Sequence, residues 1–397
     1  MLRDRHIALG VTGSIAAYKA ADLASKLTQA GARVDVLMTE AATRFITPLT
    51  LRSLTGRPVF LDMFDPDTEL AEEHVEIARR ADAVLVAPPS ATTIARLAQG
   101  LADDVVSLTV LATTAPVLIA PAMDNQMFEN EATQANLRSL AERGYVIVGP
   151  AEGRLASGRM GLGRLVDTEV LVGALQWELG RRCGGLAGRR IVVTAGGTRE
   201  PLDPVRFISN YSTGKMGYAL AEAARDRGAE VTLVSTVSTL PVPYGARLVS
   251  VETVAEMREA VLAACRDAEA LVMAAAVSDY RPADRATSKV KKGPERKSIE
   301  LERNPDFLLE VPDSVVKVGF AAETDDLLAN AAAKLKEKRL DLIAANDVSA
   351  PGSGFAVDTN QVTLIDPQGG VEELPLLPKY DVGHKVLDRV AALLRER

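Results

Sequence analysis

The sequence predicts an α/β protein built as two doubly wound parallel-sheet domains in series. Near-continuous apolar strands alternate with helical patterns along most of the 397 residues, as in parallel sheets covered on both faces. A strand–glycine–helix unit opens the chain at Ile7–Leu27 (IALGVTGSIAAYKAADLASKL), and a second begins at Ile191 (IVVTAGG). Between them RRCGGLAGRR is a glycine-dense connector with few packing residues, which puts the boundary near 181–188 and the domains at 1–185 and 186–397.

In the first half, strands are expected at His6–Gly10, Arg33–Met38, Ala83–Ala87, Val117–Ala120 and Tyr145–Val148, where β-branched and leucine residues run together. Helices are expected at Ile15–Gln29, His74–Arg80, Ser90–Gln99, Asp104–Ala112 and Asn130–Glu142, several opening on a capping Ser, Asp or Asn. Pro150–Arg164 (with EGRLASGRMGLGR) is glycine-rich and reads as an irregular, mobile flap, followed by a helix over Asp167–Trp177.

The second half repeats the alternation at Arg190–Thr194, Met216–Arg227, Glu230–Val234, Val254–Cys265, Glu269–Ala274, Lys317–Gly319, Asp326–Lys338 and Asp341–Ala345. An antiparallel pair follows at Gln361–Ile365 and Val371–Leu374. The last helix carries Val382, Val386, Val390, Leu393 and Leu394 on one stripe.

Composition narrows the function. A net charge of −7 gives no basic surface for nucleic acid. Cys183 and Cys265 are too few for a disulfide framework and too far apart for a metal motif. The N-terminus lacks the apolar region of a signal peptide, and no apolar run approaches a membrane span, so a cytoplasmic protein is expected.

A strand ending in glycine and feeding a helix presents backbone N–H groups to an anion, normally a phosphate. Gly10, Gly13 and Ser14 form the first such turn; alone they equally fit a tight turn with close helix packing. Thr39 follows the second strand, Ser90 and Thr92 follow APPSATTIARLA from Ala87, and APAMDNQMF from Ala120 sets two methionines around Asp124 and Asn125. Turns lined by hydroxyls and soft apolar groups suit a flavin mononucleotide, with its phosphate at a helix N-terminus and its ring on Met and Pro. His74, one of three histidines, opens a helix; it is a candidate base or substrate ligand, against a structural or surface role.

In the second half, RFISNYSTGKMG contains Asn210, Ser212, Thr213, Gly214, Met216 and Gly217, with a helix opening at Ser212-Thr213-Gly214 after a long polar loop. MAAAVSDY (Met273–Tyr280) reads as an apolar strand ending in a carboxylate at Asp279, placed to hold a ribose, a substrate or Mg2+. Between Arg281 and Arg303, eight Lys/Arg face four Asp/Glu, a local +4. Such a run fits a solvated loop or, beside a phosphate turn, a clamp over a triphosphate.

These residues carry a resemblance. GVTGSIAAYK, the histidine before the third strand, PAMDNQM and the glycine-rich flap are similar to the flavin-dependent cysteine decarboxylase family. The whole chain resembles the bifunctional bacterial phosphopantothenoylcysteine decarboxylase/phosphopantothenate–cysteine ligase family, the ligase signature NxS[ST]GxMG being intact. The resemblance implies a flavodoxin-like flavin decarboxylase domain followed by a Rossmann-like ligase domain. FMN would take a hydride from the thiol-bearing carbon, CO2 would leave, and the hydride would return to give 4′-phosphopantetheine. It implies acid–base work for His74 and FMN binding by Gly13, Ser14, Ile15, Thr39, Ser90, Ser107 and Met123.

For the ligase, the resemblance implies that 4′-phosphopantothenate is activated by CTP as an acyl-cytidylate, which the amine of cysteine then attacks. Asn210 would handle that intermediate and Lys289 the triphosphate. Ala275, Ala276, Asp279, Asn304, Pro305, Asp306, Phe307, Phe320, Lys334 and Lys338 would complete the nucleotide site, with Mg2+ at Asp279. Lys334 and Lys338 lie four apart, on one helical face. Trimeric flavin domains, with flavin at subunit contacts, and dimeric ligase domains would assemble as a dodecamer.

Two positions depart from the family pattern. Asp124 stands where the family has asparagine, and Ser157 where it has the flap cysteine that protonates the enethiolate. A serine hydroxyl is a much weaker acid than a thiol, so decarboxylation is expected with a slowed reductive half-step. One alternative is a working ligase fused to a flavin domain with impaired, oxidative-only or purely regulatory chemistry. Another, an NAD(P) oxidoreductase, needs an acidic ribose ligand about 20 residues past the first glycine turn. Asp22 comes too early and Asp35 lies within a strand.

Overall fold

The computed structural model describes residues 2–62, 73–291, 298–323, 327–347, 352 and 354–397. The chain divides into two compact units, Met1–Leu179 and Gly180–Arg397.

The first unit runs β1 (His6–Val11), a 3-10 turn (Ile15–Tyr18), α1 (Lys19–Gln29), β2 (Arg33–Met38), α2 (Pro48–Thr55), β3 (Val59–Phe60), α3 (Glu73–Arg80) and β4 (Ala83–Val86). It continues through α4 (Ala91–Gln99), α5 (Val105–Ala112), β5 (Val117–Ile119), α6 (Asn125–Glu129), α7 (Glu131–Glu142), β6 (Val146–Ile147), β7 (Ala151–Arg154), β8 (Met160–Arg164) and α8 (Thr168–Cys183). The six parallel strands lie in the order β3-β2-β1-β4-β5-β6. The order reverses at β1, and in such sheets the crevice beyond the carboxyl ends at that reversal is where ligands bind.

Asp35, inside β2, is a buried carboxylate. Arg57 Nε (2.8 Å) and Arg80 Nε (2.9 Å) each donate to one of its oxygens, so its charge is paired on both sides. Deleting the carboxylate would remove the partner of both guanidinium groups, which are about one-third exposed and so would be partly compensated by water.

The second unit runs β9 (Arg190–Ala195), β10 (Arg199–Pro201), β11 (Phe207–Ser209), α9 (Lys215–Asp226), β12 (Glu230–Ser235), β13 (Arg247–Ser250), α10 (Val254–Ala264), β14 (Ala270–Met273), β15 (Tyr280–Pro282) and β16 (Leu301–Arg303). Then come β17 (Val316–Glu323), α11 (Leu327–Glu337), β18 (Leu342–Asp347), β19 (Thr359–Asn360), β20 (Val362–Ile365), β21 (Val371–Glu373), β22 (Leu377–Pro378) and α12 (Lys379–Glu396). Eight strands lie in the order β13-β12-β9-β14-β17-β18-β20-β21, parallel as far as β18 and antiparallel beyond. Alternate residues of β9 enter different cores. Ile191, Val193 and Ala195 pack with α9 and α12, whereas Val192 packs with Met257 and Val261 of α10. Burial on both faces is why these strands read as unbroken apolar runs.

Four expectations change. The flap is an antiparallel hairpin, β7–β8, rather than irregular chain, because Gly153 and Gly163 adopt positive φ that lets two glycine-rich strands pair. The helix after it runs on to Cys183, so only the residues after Cys183 connect to β9. The loop after Gly197 contains the β10–β11 hairpin. The strand expected to end at Asp279 stops at Met273, and Asp279 lies beyond it in exposed chain.

Candidate active sites

In the first unit two side chains stitch three turns together. Thr12 Oγ1 donates to Pro88 O (2.9 Å) and accepts from Ser90 N (2.6 Å), tying the turn after β1 to the turn after β4. Ser14 Oγ donates to Ala122 O (3.1 Å), tying it also to the turn after β5. Sequence reasoning found Ser14 and missed Thr12, although a hydroxyl beside the glycine of GVTGS was the available signal. Gly13 and the exposed Ile15 belong to the same turn.

Thr39 follows β2 with its N–H on Val11 O (3.1 Å), while its buried hydroxyl has no hydrogen-bond partner among the described residues. An orphaned buried hydroxyl at the carboxyl edge of the sheet is what a bound polar group would satisfy, so the residues present fit a flavin's phosphate or sugar chain. Ser90 caps α4, accepting from Thr93 N (3.1 Å). Ser107 is buried, and its side chain is engaged in a capping box with Asp104 at the start of α5. Met123 is half-buried on the core beneath β5. His74 sits half-buried in the first turn of α3; among the described residues no hydrogen bond joins it to these turns.

The hairpin is locked onto the turn after β5. Met123 N donates to Gly163 O (3.0 Å), and a Cβ on Gly163 would fall 2.1 Å from Met123 O. Leu162 N donates to Asn125 Oδ1 (3.1 Å). At the hairpin tip Ser157 Oγ donates to Asp124 Oδ2 (3.0 Å), while Asp124 Oδ1 caps α6 through Gln126 N (3.1 Å).

In the second unit a cavity of about 410 Å³ opens over the carboxyl ends of the parallel strands. Ala275, Ala276, Asp279, Asn304, Pro305, Asp306, Phe307, Phe320, Lys334 and Lys338 all line it, together with Ser212–Gly217 at the start of α9. Asn304 ties the segment after β16 to the chain after β14: its N–H donates to Asp279 O (2.8 Å) and its Nδ2 to Ser278 O (2.9 Å). Lys338 Nζ pairs with Asp306 Oδ2 at 3.1 Å. Asn210 is not in the lining but adjoins it, with Nδ2 donating to Ala276 O (3.0 Å).

Lys289 is exposed outside the lining. Its neighbour is fixed: buried Asp203 accepts from Val290 N (3.1 Å), and Arg206 Nη2 donates to Val290 O (2.8 Å). Arg206 and three backbone N–H groups hold the Asp203 carboxyl well below the usual carboxylate range. Sequence reasoning missed Asp203, which looked like loop polarity in PLDPVRF. Residues 292–297 of the basic stretch lie outside the described residues.

The buried Lys379 was also missed. Its Nζ donates to Gly354 O (2.8 Å) and Val357 O, while Thr213 Oγ1 donates to Phe355 O (2.5 Å) and Lys215 Nζ to Ala356 O (2.8 Å). Successive carbonyls of 354–357 are thus held by side chains of α9, its N-terminal turn and α12, making one wall of the cavity. Burial and the nearby Lys215 push the Lys379 pKa down. Among the described residues no group of three His, Cys, Asp or Glu could hold a metal; the carboxylates in the cavity lining are Asp279, Asp306 and Glu337.

Two doubly wound units, one with hydroxyl-lined turns fitting a flavin and one with a nucleotide-sized cavity, define a two-site α/β enzyme. Residues 1–179 match the family described as Flavoprotein, and residues 186–394 match the DNA/pantothenate metabolism flavoprotein C-terminal domain. The chain is 44% identical over 401 residues to the coenzyme A biosynthesis bifunctional protein CoaBC of Bacillus subtilis (strain 168), covering 100% of this chain and 99% of that one. It is 44% identical over 405 residues to the protein of the same name from Escherichia coli (strain K12), again covering 100% and 99%. The chain belongs to this family of coenzyme A biosynthesis bifunctional proteins. It is a phosphopantothenoylcysteine decarboxylase and a phosphopantothenate–cysteine ligase, the first unit being a flavoprotein domain.

Proposed function

We propose that residues 1–185 hold FMN and decarboxylate phosphopantothenoylcysteine, and that residues 186–397 make that substrate from 4′-phosphopantothenate, cysteine and CTP with Mg2+. The observation that carries the ligase reading is the convergence of ten nucleotide-site candidates, from Ala275 to Lys338, on one cavity. Asn210, bonded to the backbone of Ala276, handles the acyl-cytidylate at the cavity rim. Lys334 and Lys338 take phosphate charge, and Lys289 closes from the fixed Asp203–Arg206 corner to neutralise departing pyrophosphate. Mg2+ bound with nucleotide draws most of its ligands from phosphates and water, with Asp279 as the protein carboxylate, since Asp306 is paired with Lys338.

In the first unit, Gly13, Ser14, Ile15, Thr39, Ser90, Ser107 and Met123 form the FMN cradle, Thr39 giving its unpartnered hydroxyl to the cofactor. Bound there, FMN supplies a reversible hydride acceptor for the carbon bearing the substrate thiol. His74 orients the substrate and serves its acid–base steps, while Asp124 and Ser157 close the opposite side under the hairpin. The enzyme works in the cytoplasm as a dodecamer of flavin-domain trimers and ligase-domain dimers.

The test is one incubation of the full chain with 4′-phosphopantothenate, cysteine, Mg2+ and CTP, with products identified by mass. Formation of CMP, pyrophosphate and 4′-phosphopantetheine by a yellow protein is expected. Absence of phosphopantothenoylcysteine refutes the ligase assignment; its accumulation without loss of CO2 refutes the decarboxylase assignment.

A further inference from the structure

The hydrogen bond between Ser157 and Asp124 joins the two side chains that differ from the family pattern. Ser157 is exposed at the tip of the β7–β8 hairpin, and Asp124 is half-buried at the turn after β5. Neither can drift far. Asp124 Oδ1 is held by Gln126 N, and the hairpin tip is closed by Leu155 N to Arg159 O (2.8 Å) and Gly158 N to Leu155 O (2.9 Å). The free oxygen of the carboxylate therefore faces the hydroxyl at 3.0 Å, within the reach required for proton transfer. Both cysteines of the chain lie outside Met1–Leu179, so that unit has no thiol to act as an acid.

We propose that Asp124 and Ser157 act as one proton-carrying pair, Asp124 collecting the proton of the substrate thiol and Ser157 passing it to the carbon that has lost CO2. The inference rests on the flavin decarboxylase reading above. The proton transfers balance with one net proton taken from water. Oxidation of the thiol-bearing carbon, for which bound FMN would supply the hydride acceptor, frees a proton that the Asp124 carboxylate takes. Loss of CO2 leaves an enethiolate. Ser157 gives its hydroxyl proton to the decarboxylated carbon as the Asp124 carboxyl replaces it, producing a thioaldehyde. The hydride then returns to the C–S carbon, and the resulting thiolate takes a proton from water. A lone serine hydroxyl would be a poor acid for this step, whereas a carboxyl behind it supplies the missing proton. The oxidative and reductive halves are thereby coupled through one carboxyl group.

The test compares full-length variants given phosphopantothenoylcysteine in air, measuring 4′-phosphopantetheine and oxidised enethiol per CO2 released. Asp124→Asn keeps the helix cap through Oδ1 and a hydrogen bond to Ser157, its Nδ2 now donating to the serine Oγ, but cannot carry the proton. It should lower the reduced-to-oxidised product ratio at least ~100-fold, as should Ser157→Ala, and the double variant should be no worse than either. In a Ser157→Cys background the thiol donates unaided, and the same Asp124→Asn change should cost less than about tenfold. A second measurement needs no turnover: hydrogen exchange at the hairpin tip of flavin-free protein should quicken in Asp124→Ala and stay unchanged in Asp124→Asn. A wild-type product ratio in Asp124→Asn, or unchanged tip exchange in Asp124→Ala, overturns the pair while leaving the decarboxylase reading intact. A wild-type chain that binds no flavin and releases no CO2 overturns both.

Discussion

Replacing Gly217 with alanine should disable the ligase while leaving the decarboxylase at work in the same molecule. Gly217 lies in the first turn of α9, where the helix presses on the end of β9. A Cβ there would sit 2.5 Å from Ala195 Cβ, 2.6 Å from Thr194 O and 2.9 Å from Ala195 Cα. Two of these are backbone atoms and none can rotate away, so α9 must retreat by about 1 Å to restore ordinary contact. Overpacking of this kind costs about 1–3 kcal/mol, enough to lower the melting temperature of the unit without unfolding it. The larger effect is positional. Ser212–Gly217 form a wall of the cavity, and a displacement of about 1 Å at a reacting site can cost ~100-fold in rate. CMP release from CTP measures the ligase, and CO2 release from supplied phosphopantothenoylcysteine, on the same sample, controls for folding. A variant whose ligase kcat/KM stays within about twofold of wild type would show that the close approach does not position the site.

Lys379→Met should raise the ligase KM for CTP or phosphopantothenate more than it lowers kcat, because the 354–357 wall loses its buried donor; unpairing a carbonyl costs about 1–3 kcal/mol, and Lys379→Arg should recover part of the loss. His384 accepts from Arg227 Nε at Nδ1 (2.9 Å), and burial pushes its pKa down to about 4, so it favours the fold while neutral. That stability is complete above ~6.5 and is lost as pH falls through about 4, so the melting temperature of His384→Gln should fall less steeply across this window. Taking the difference from wild type separates it from Glu222 and Asp226, whose pKa values burial raises and which act in the opposite sense. Burial pushes the Cys265 thiol up to about 12, so a neutral-pH alkylating agent should label exposed Cys183 and spare Cys265; peptide mass mapping would show any label at Cys265.

The alternation of elements was legible because burial on both faces leaves unbroken apolar strands, as in β1, β9 and β14. The glycine turns were legible because helix N-termini need small residues there. The β7–β8 hairpin was not, because glycine-rich strands carry no apolar alternation and pair through backbone alone. The end of β14 was misread because MAAAV stays apolar after the ladder stops, lining a cavity rather than extending a strand. The cavity-lining residues from Ala275 to Lys338 could be named through the family resemblance. Asp203 and Lys379 could not, since each acts through backbone groups remote in sequence: Val290, and Gly354 with Val357; Thr12 left only the faint signal of a hydroxyl beside a glycine.

The double ion pair at Asp35 has a mechanical consequence. Arg80 is the last residue of α3 and His74 lies near its first, so the guanidinium fastened to β2 sets the far end of a rigid rod. Turning that end turns the imidazole with it. Loosening Asp35 would therefore misaim a side chain at the opposite tip, with no atom of the catalytic pocket altered, and inactivation without loss of cofactor would be its signature.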